Sequence, residues 1–164
     1  MTDTPVTILG LGNILLGDEG FGVHFVRWFE HCHVLPPDVE VVDGGTLGYR
    51  LLPIVTDCVH LIVIDTIKVN DTPGSIYRFT REEMEMHLPP PTSAHEVEFF
   101  DVLVKAELMG AAPETVFLCI VPEKYGTMNI EMTSLMKDRF HAMKELLLSE
   151  LANKEITTVM SVDA

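Results

Sequence analysis

Basic residues are scarce in this chain, which carries 11 Lys and Arg against 25 Asp and Glu, a formal net charge of −14. Proteins bind nucleic acids and anionic lipids through basic surface that neutralises phosphate charge. We therefore expect no nucleic-acid partner and no membrane partner. An acidic surface of this kind suits a metal ion or a basic protein.

Cysteine is also scarce, because Cys32, Cys58 and Cys119 are far apart and form no C-x-x-C pair. A disulfide framework or a thiolate metal site needs closer spacing, so we predict buried free thiols in a reducing compartment. No stretch approaches the roughly 18 apolar residues of a membrane span, and the start of the chain lacks the basic region of a signal peptide. We expect a cytoplasmic protein.

Several well-known enzyme motifs are missing. The chain has no G-K-[ST] phosphate loop, no G-x-S-x-G elbow and no H-E-x-x-H zinc motif. Gly10, Gly12 and Gly17 give G-x-G-x-x-x-x-G, whereas dinucleotide-binding sites use G-x-G-x-x-G. A nucleotide-binding module stays open as a lesser alternative because Asp43 could imitate the acid that binds ribose. Against it, Glu19 would face the pyrophosphate.

Apolar runs rich in β-branched residues alternate with segments of helical periodicity, which is typical of an α/β fold. Runs that are apolar throughout match parallel strands covered on both faces. The short turn Asn70–Gly74 allows antiparallel pairing of the strand that follows it, but no parallel crossover. We predict a three-layer fold: a mostly parallel, five-stranded twisted sheet with one antiparallel strand and helices on both faces. The predicted strands are Val6–Leu11, Val39–Val42, Leu61–Ile64, Ser75–Phe79 and Val116–Val121.

Helical periodicity predicts four helices. The third is announced by the capping-box spacing of Ser93 and Glu96. The first helix begins near Gly20, and the second covers about Leu47–Val55. The third covers about Ala94–Met109, and the last begins near Thr133 or Ser134.

The connections predict one domain over residues 1–164. Pro89, Pro90 and Pro91 forbid a helix around them and predict that residues 81–92 form an extended connector or a lid. No linker or internal repeat divides the chain. Helical periodicity is lost from about Asn153, so we expect a frayed tail over about residues 153–164.

Polar side chains occur where three predicted strands end, and open α/β sheets bind ligands at the carboxyl ends of their strands. Glu19 follows strand one, Asp43 ends strand two, Asp65 ends strand three, and His95 could join them from the first turn of the third helix. Two carboxylates and an imidazole form an incomplete oxygen and nitrogen shell, which suits a divalent metal such as Ni, Co or Zn.

Each of these residues also has an ordinary structural interpretation. Asp18 and Glu19 can offset the dipole of the first helix, with Asp18 as its N-cap. Asp43 can form a turn before two glycines, and Asp65 can cap the turn after its strand. His95 can be an exposed helix residue. The joint arrangement favours the metal over these separate explanations.

Four segments together resemble the [NiFe]-hydrogenase maturation endopeptidases. The pattern G-x-G-N-x-L-x-x-D-[ED]-x-x-G followed by D-G-G-T is specific, and the resemblance covers about residues 6–150. Ala94 departs from the family, in which a proline often precedes the histidine. The segments are Gly10–Gly22, Asp43–Thr46, Ile64-Asp65 and Ser93–His95.

The resemblance implies an endopeptidase that acts once on each substrate molecule. Members of the family remove a short C-terminal peptide from the precursor of the hydrogenase large subunit after nickel insertion. By position, Glu19, Asp65 and His95 match the residues proposed to bind the metal, and Asp43 matches a further acid of the family signature. Either the metal polarises the scissile carbonyl, or a carboxylate such as Asp43 acts as general base for water.

The resemblance also implies the partners of the site. Nickel would be supplied by the substrate, and we expect Zn, Cd or Co to occupy the site in vitro. The precursor is the expected partner of a monomeric enzyme. The main alternative is a non-catalytic metal-sensing or nickel-delivery protein that uses the same three residues.

Overall fold

The computed structural model describes residues 4–87, 94–156 and 160–162, with the side chains of residues 6–86, 96–156 and 161–162. The described residues form seven strands and six α-helices. In chain order the strands are β1 (Thr4–Leu11), β2 (His33–Val34), β3 (Val39–Gly45), β4 (Cys58–Thr66), β5 (Ile76–Thr80), β6 (Glu114–Ile120) and β7 (Met160–Ser161). The helices are α1 (Phe21–Cys32), α2 (Leu52–Thr56), α3 (Arg81–His87), α4 (Ala94–Leu108), α5 (Ser134–Asp138) and α6 (Phe140–Asn153).

The central sheet has the strand order β3-β1-β4-β6-β5. Strand β1 pairs in parallel with β3 and β4, and β4 pairs in parallel with β6. Strand β5 pairs antiparallel with β6 and forms one edge of the sheet, because β4 already has a partner on each side. The predicted fold class is therefore confirmed, including its one antiparallel strand.

Helices cover both faces of this sheet, and alternation along the strands divides the core in two. On one face, Ile8 and Ile64 belong to a buried cluster that contains side chains of α1, α5 and α6. On the other face, Leu9 and Val63 belong to a cluster that contains side chains of α2 and α4. In both layers, the side chains that recur at the predicted helical spacing form the face of each helix that packs against the sheet.

The predicted helices occur, with two differences in detail. A 3₁₀ turn, Gly17–Gly20, precedes α1, and a second one, Gly48–Leu51, precedes α2. The last helix begins at Ser134 as predicted, but Arg139, with φ −88° and ψ −4°, separates α5 from α6. The Nε of Arg139 donates to the carbonyl oxygen of Gly74, which ties this break to the turn before β5.

The extended connector predicted over residues 81–92 is wrong for its first part, because Arg81–His87 is helical. The backbone N–H of Thr80 donates to the Glu83 carboxylate at 2.8 Å, and the N–H of Glu83 donates to the Thr80 hydroxyl at 3.2 Å. This is a capping box, and it starts a helix locally despite the prolines that follow. The three prolines and Ser93 lie outside the described residues.

The predicted frayed tail does not extend over all of residues 153–164. Ile156 is buried in the core, and Met160–Ser161 pairs antiparallel with β2. The N–H of Val162 donates to the carbonyl oxygen of Cys32 at 2.8 Å. Strand β2 follows α1 directly and would otherwise expose an unpaired edge, which this pairing covers.

The three cysteines are free thiols. Cys58 and Cys119 are buried as predicted, whereas Cys32 is only partly buried. Among the described helices, none has the length and the apolar character needed to cross a bilayer.

An ion pair joins β5 to α6. Arg78 donates three hydrogen bonds of 2.8–3.0 Å to the Glu150 carboxylate, whose side chain is only 3% exposed. Hydrogen bonding from Arg78 lowers the pKa of Glu150. The pair therefore stabilises the fold above the ordinary pKa of glutamate, and this contribution is lost as the pH falls through the lowered value.

Arg78→Ala should lower the free energy of unfolding by about 2 kcal/mol at pH 7, because a buried carboxylate loses its charged donor. The deficit relative to wild type should shrink in acid, where Glu150 becomes protonated. Urea unfolding at several pH values measures both effects. Arg50→Ala, at an exposed arginine, is the control, and an equal loss in the two variants would contradict the role of the pair.

Candidate functional site

The corner between β1 and α1 brings acids to the end of the sheet. Gly12 has φ 140°, and a Cβ there would overlap the carbonyl oxygen of Glu19. A Cβ on Gly22 would overlap the carbonyl oxygens of Leu11 and Ile64. The first turn of α1 therefore rests directly on the ends of β1 and β4, a contact that only glycine allows. As a result, Glu19 lies at the carboxyl edge of β4.

Asp65 is the buried acid of this edge. It lies near the end of β4, is 8% exposed, and accepts a hydrogen bond of 2.7 Å from the N–H of Thr66. Burial, with smaller contributions from the nearby charges of Glu96 and Glu19, raises the pKa of Asp65 to about 8 against the opposing effect of the Thr66 N–H. The site thus holds Asp65 in surroundings that disfavour its charged form.

Glu19 is bonded to the loop that follows β6. Its Oε2 accepts a hydrogen bond of 2.7 Å from the N–H of Gly126. The neighbouring Tyr125 donates its hydroxyl to the carbonyl oxygen of Ile67 at 2.7 Å. Burial, and then the charges of Glu19 and Glu96, raise the pKa of Tyr125. We call Glu19, Asp65 and Glu96 the acidic cluster.

Two of the three predicted metal ligands, Glu19 and Asp65, are near enough for the charge of Glu19 to raise the pKa of Asp65. Glu19 and Asp65 come from separate elements and act on one another electrostatically. His95 lies in the first turn of α4, directly before Glu96, but its side chain lies outside the described residues. Among the side chains that are described, no group of three His, Cys, Asp or Glu residues has the arrangement of a metal site. The three-ligand set therefore stays a prediction.

Asp43 lies apart from the acidic cluster. Gly10 pairs with Asp43 on one side and with Ile64 on the other, so Asp43 and Ile64 project from the same face of the sheet. Asp65, one residue further, projects from the opposite face. Asp43 accepts a hydrogen bond of 2.8 Å from the Nε of Arg27 on α1. Its predicted role as general base is thus not supported by proximity to Asp65.

Asp18 is not the N-cap that the sequence predicted, since no side chain caps the 3₁₀ turn or α1. It is 1% exposed and accepts four hydrogen bonds. Its donors are the N–H groups of Glu123 and Lys124, both at 3.1 Å, and the N–H and hydroxyl of Thr133, at 2.7 and 3.0 Å. It joins the two ends of the segment 123–133.

Sequence reasoning missed the contribution of the loop after β6. Tyr125 and Gly126 follow the end of a parallel strand, as Glu19 and Asp65 do. That position was the available signal, because all parallel strands end at the same edge. Glu96 was considered only as a capping residue, although it adjoins His95 and acts on Asp65.

The fold and the acidic cluster define an α/β protein whose candidate site lies at the carboxyl edge of a parallel sheet. Residues 23–150 match the family model HycI, hydrogenase maturation protease. The hydrogenase 2 maturation protease of Escherichia coli (strain K12) is 31% identical over 156 residues, 94% of each chain. The chain belongs to the hydrogenase maturation protease family.

Two further comparisons agree with this assignment. The solved structure of the hydrogenase maturating endopeptidase HYBD from E. coli matches with a TM-score of 0.87 and 29% identity, over 96% of both chains. The hydrogenase expression/formation protein HupD of Rhodobacter capsulatus is 38% identical over 114 residues, 69% of this chain. That match spans 54% of HupD, so this chain aligns with about half the length of that relative.

Asp65→Asn should stabilise the metal-free protein by an amount that grows with pH. The native pKa is raised to about 8, whereas an unfolded aspartate titrates near 4. Between about pH 4 and 8 the unfolded chain has released a proton that the native state still holds, so wild type loses stability as the pH rises. The asparagine variant lacks this loss and can still accept the Thr66 N–H.

Thermal unfolding of both proteins from pH 4 to 9 measures the difference in stability. It should widen up to about pH 8 and then become constant. Asp138→Asn, at an exposed aspartate, should show no such trend. A constant difference between Asp65→Asn and wild type across the range would contradict the raised pKa of Asp65.

Proposed function

We propose that this protein is an endopeptidase that removes the C-terminal peptide from the nickel-loaded precursor of a [NiFe]-hydrogenase large subunit. The observation that carries the proposal is the electrostatic interaction of Glu19 and Asp65, which come from separate elements near the carboxyl edge of the sheet. The charge of Glu19 disfavours the ionised form of Asp65, and a divalent cation bound between the two would favour it instead. Membership of the maturation protease family supports the peptidase activity.

The proposed metal ligands are Glu19, Asp65 and His95. Helix α4, which contains His95, packs on the face of the sheet from which Asp65 projects. Three protein ligands would leave coordination positions for groups of the substrate. Nickel therefore belongs to the substrate in this proposal, and Zn, Cd or Co should substitute for it in the free protein.

The proposed reaction is attack of water on the scissile amide. Polarisation of the amide carbonyl by the metal would require only the groups at the carboxyl edge of the sheet, where the acidic cluster lies. General-base catalysis by Asp43 would take place on the other face of the sheet, where Arg27 donates to Oδ2 of Asp43. This geometry favours activation of the carbonyl by the metal. Asp43 stays a candidate general base for a substrate that extends across β1.

An exposed apolar patch beside Glu19 favours a polypeptide substrate over a metal ion alone. Leu15, Met128 and Ile130 are 52%, 76% and 72% exposed. They lie on two loops joined by backbone hydrogen bonds, and one of these loops includes Gly126, the donor to Glu19. Exposed apolar patches of this kind mark sites where another chain binds. This observation supports the binding of a polypeptide beside Glu19, which a protease requires.

Substitution of the proposed ligands tests the metal site. Glu19→Gln, Asp65→Asn and His95→Ala should each lower kcat/KM for nickel-loaded precursor by about 100-fold or more, because each removes a ligand. Cleavage is measured by the mobility shift of the large subunit in electrophoresis. Glu30→Gln, at an exposed glutamate of α1, is the matched control. Complete cleavage of the precursor by all three variants would contradict the proposed ligand set.

The same assay separates the alternatives. Absence of cleavage by wild type, together with tight nickel binding by the free protein, would identify a metal-sensing or nickel-delivery protein. Thermal stabilisation by a dinucleotide without metal would identify a nucleotide-binding module. Asp43→Asn tests whether Asp43 is the general base. If Asp43 activates the water, this variant should lose kcat while its nickel binding is unchanged.

Substitution of the apolar patch tests the peptide substrate. Met128→Ser combined with Ile130→Ser should raise KM for the precursor about tenfold or more, since each side chain contributes about 1.5–3 kcal/mol when fully buried. Nickel affinity of the free protein should not change. Leu108→Ser, at a residue 83% exposed on α4, controls for the loss of apolar surface. An unchanged KM in the double variant would show that the precursor does not bind there.

A further inference from the structure

The segment 123–133 forms a loop whose two ends meet at one side chain. Its first residues, Glu123 and Lys124, donate their N–H groups to Asp18 Oδ2, and its last residue, Thr133, donates its N–H to Oδ1 and its hydroxyl to Oδ2. The carboxylate is buried beneath the loop and is 1% exposed. Compact loops of this kind keep their shape when their ends are held together.

The middle of this loop faces the proposed site. Gly126 donates to Glu19 Oε2, and Asn129 exchanges backbone hydrogen bonds with Leu15 and Gly17 at 3.0 and 2.6 Å. Met128 and Ile130 lie on the same stretch and are exposed. The position of every one of these groups depends on the loop that Asp18 closes.

Because four donors point at the buried carboxylate of Asp18, an uncharged side chain cannot replace it without loss of hydrogen bonds. Oδ2 accepts three of the four hydrogen bonds and Oδ1 accepts the fourth, from the N–H of Thr133. An asparagine would therefore turn its NH2 group either toward the Thr133 N–H or toward the other three donors. The unsatisfied groups would carry a desolvation penalty, and the loop would open.

We propose that Asp18 is a positioning residue: it closes the loop 123–133 so that Gly126 is held against Glu19 and the patch of Leu15, Met128 and Ile130 is preformed for the substrate. Its effect on catalysis rests on the function proposed above. Asp18 does not itself reach the substrate. It acts on substrate binding, through the loop, rather than on the reaction of bound substrate.

Amide hydrogen exchange measured by NMR tests the closure directly. In Asp18→Asn, the Gly126 amide should exchange at least about tenfold faster than in wild type, together with those of Glu123 and Lys124. Thr133→Val removes only the hydroxyl donor and should give a smaller increase, which Thr133→Ser should reverse. If Asp18→Asn fails to fold, this threonine pair decides the question from the loop side. Unchanged Gly126 exchange in the folded variants would overturn the proposal.

Steady-state cleavage of nickel-loaded precursor, well below the melting temperature, tests the consequence. Asp18→Asn and Thr133→Val should raise KM, about tenfold in the first, with kcat within about threefold of wild type, and Thr133→Ser should restore KM. A fall in kcat at unchanged KM would overturn the positioning role. If wild type cleaves no precursor, the function proposed above fails, and the exchange of Gly126 still decides whether Asp18 holds the loop.

Discussion

The contact between the first turn of α1 and the ends of β1 and β4 is the constraint on which the site depends. Gly22 leaves no room for a side chain between the helix and the carbonyl oxygens of Leu11 and Ile64. The preceding turn must then lie against the strand ends, and it carries Asp18 inward and Glu19 toward Asp65. In nucleotide-binding folds a glycine-rich corner frees backbone N–H groups for phosphate. Here the same kind of corner presents carboxylates instead.

The acidic cluster is unfavourable when it is empty, and this is its chemical significance. Burial, Glu96 and Glu19 together raise the pKa of Asp65 to about 8, so the folded protein holds a group that resists ionisation. Occupation by a cation reverses the sign of these interactions. In the proposed function, a precursor without nickel would gain none of this stabilisation. The same residues would then serve both recognition of the metal and control of premature cleavage.

The glycine corner and the strands could be predicted because local patterns determine them. The partners of Asp18 could not, since its donors lie more than 100 residues further along the chain. The placement of Asp43 and Asp65 on opposite faces depends on the register of β3 and β4 against β1, which no local pattern reveals. The capping box of Thr80 was readable, but the prolines after it concealed the short helix. The pairing of β7 with β2 joins segments that are far apart in the sequence, so no local pattern predicts it.

In the proposed function, the separation of Asp43 from Asp65 would determine how many substrate residues lie between them. Strands β3 and β4 lie on either side of β1, so a polypeptide that passed from one acid to the other would cross two strand spacings, about 10 Å. That distance corresponds to about three residues in extended conformation. A metal-bound side chain at Asp65 and a peptide bond beside Asp43 would therefore belong to different residues of one strand. Gly10 and Gly12, at the end of β1 between these two acids, carry no side chains because the first turn of α1 and the residues before it pack directly against them.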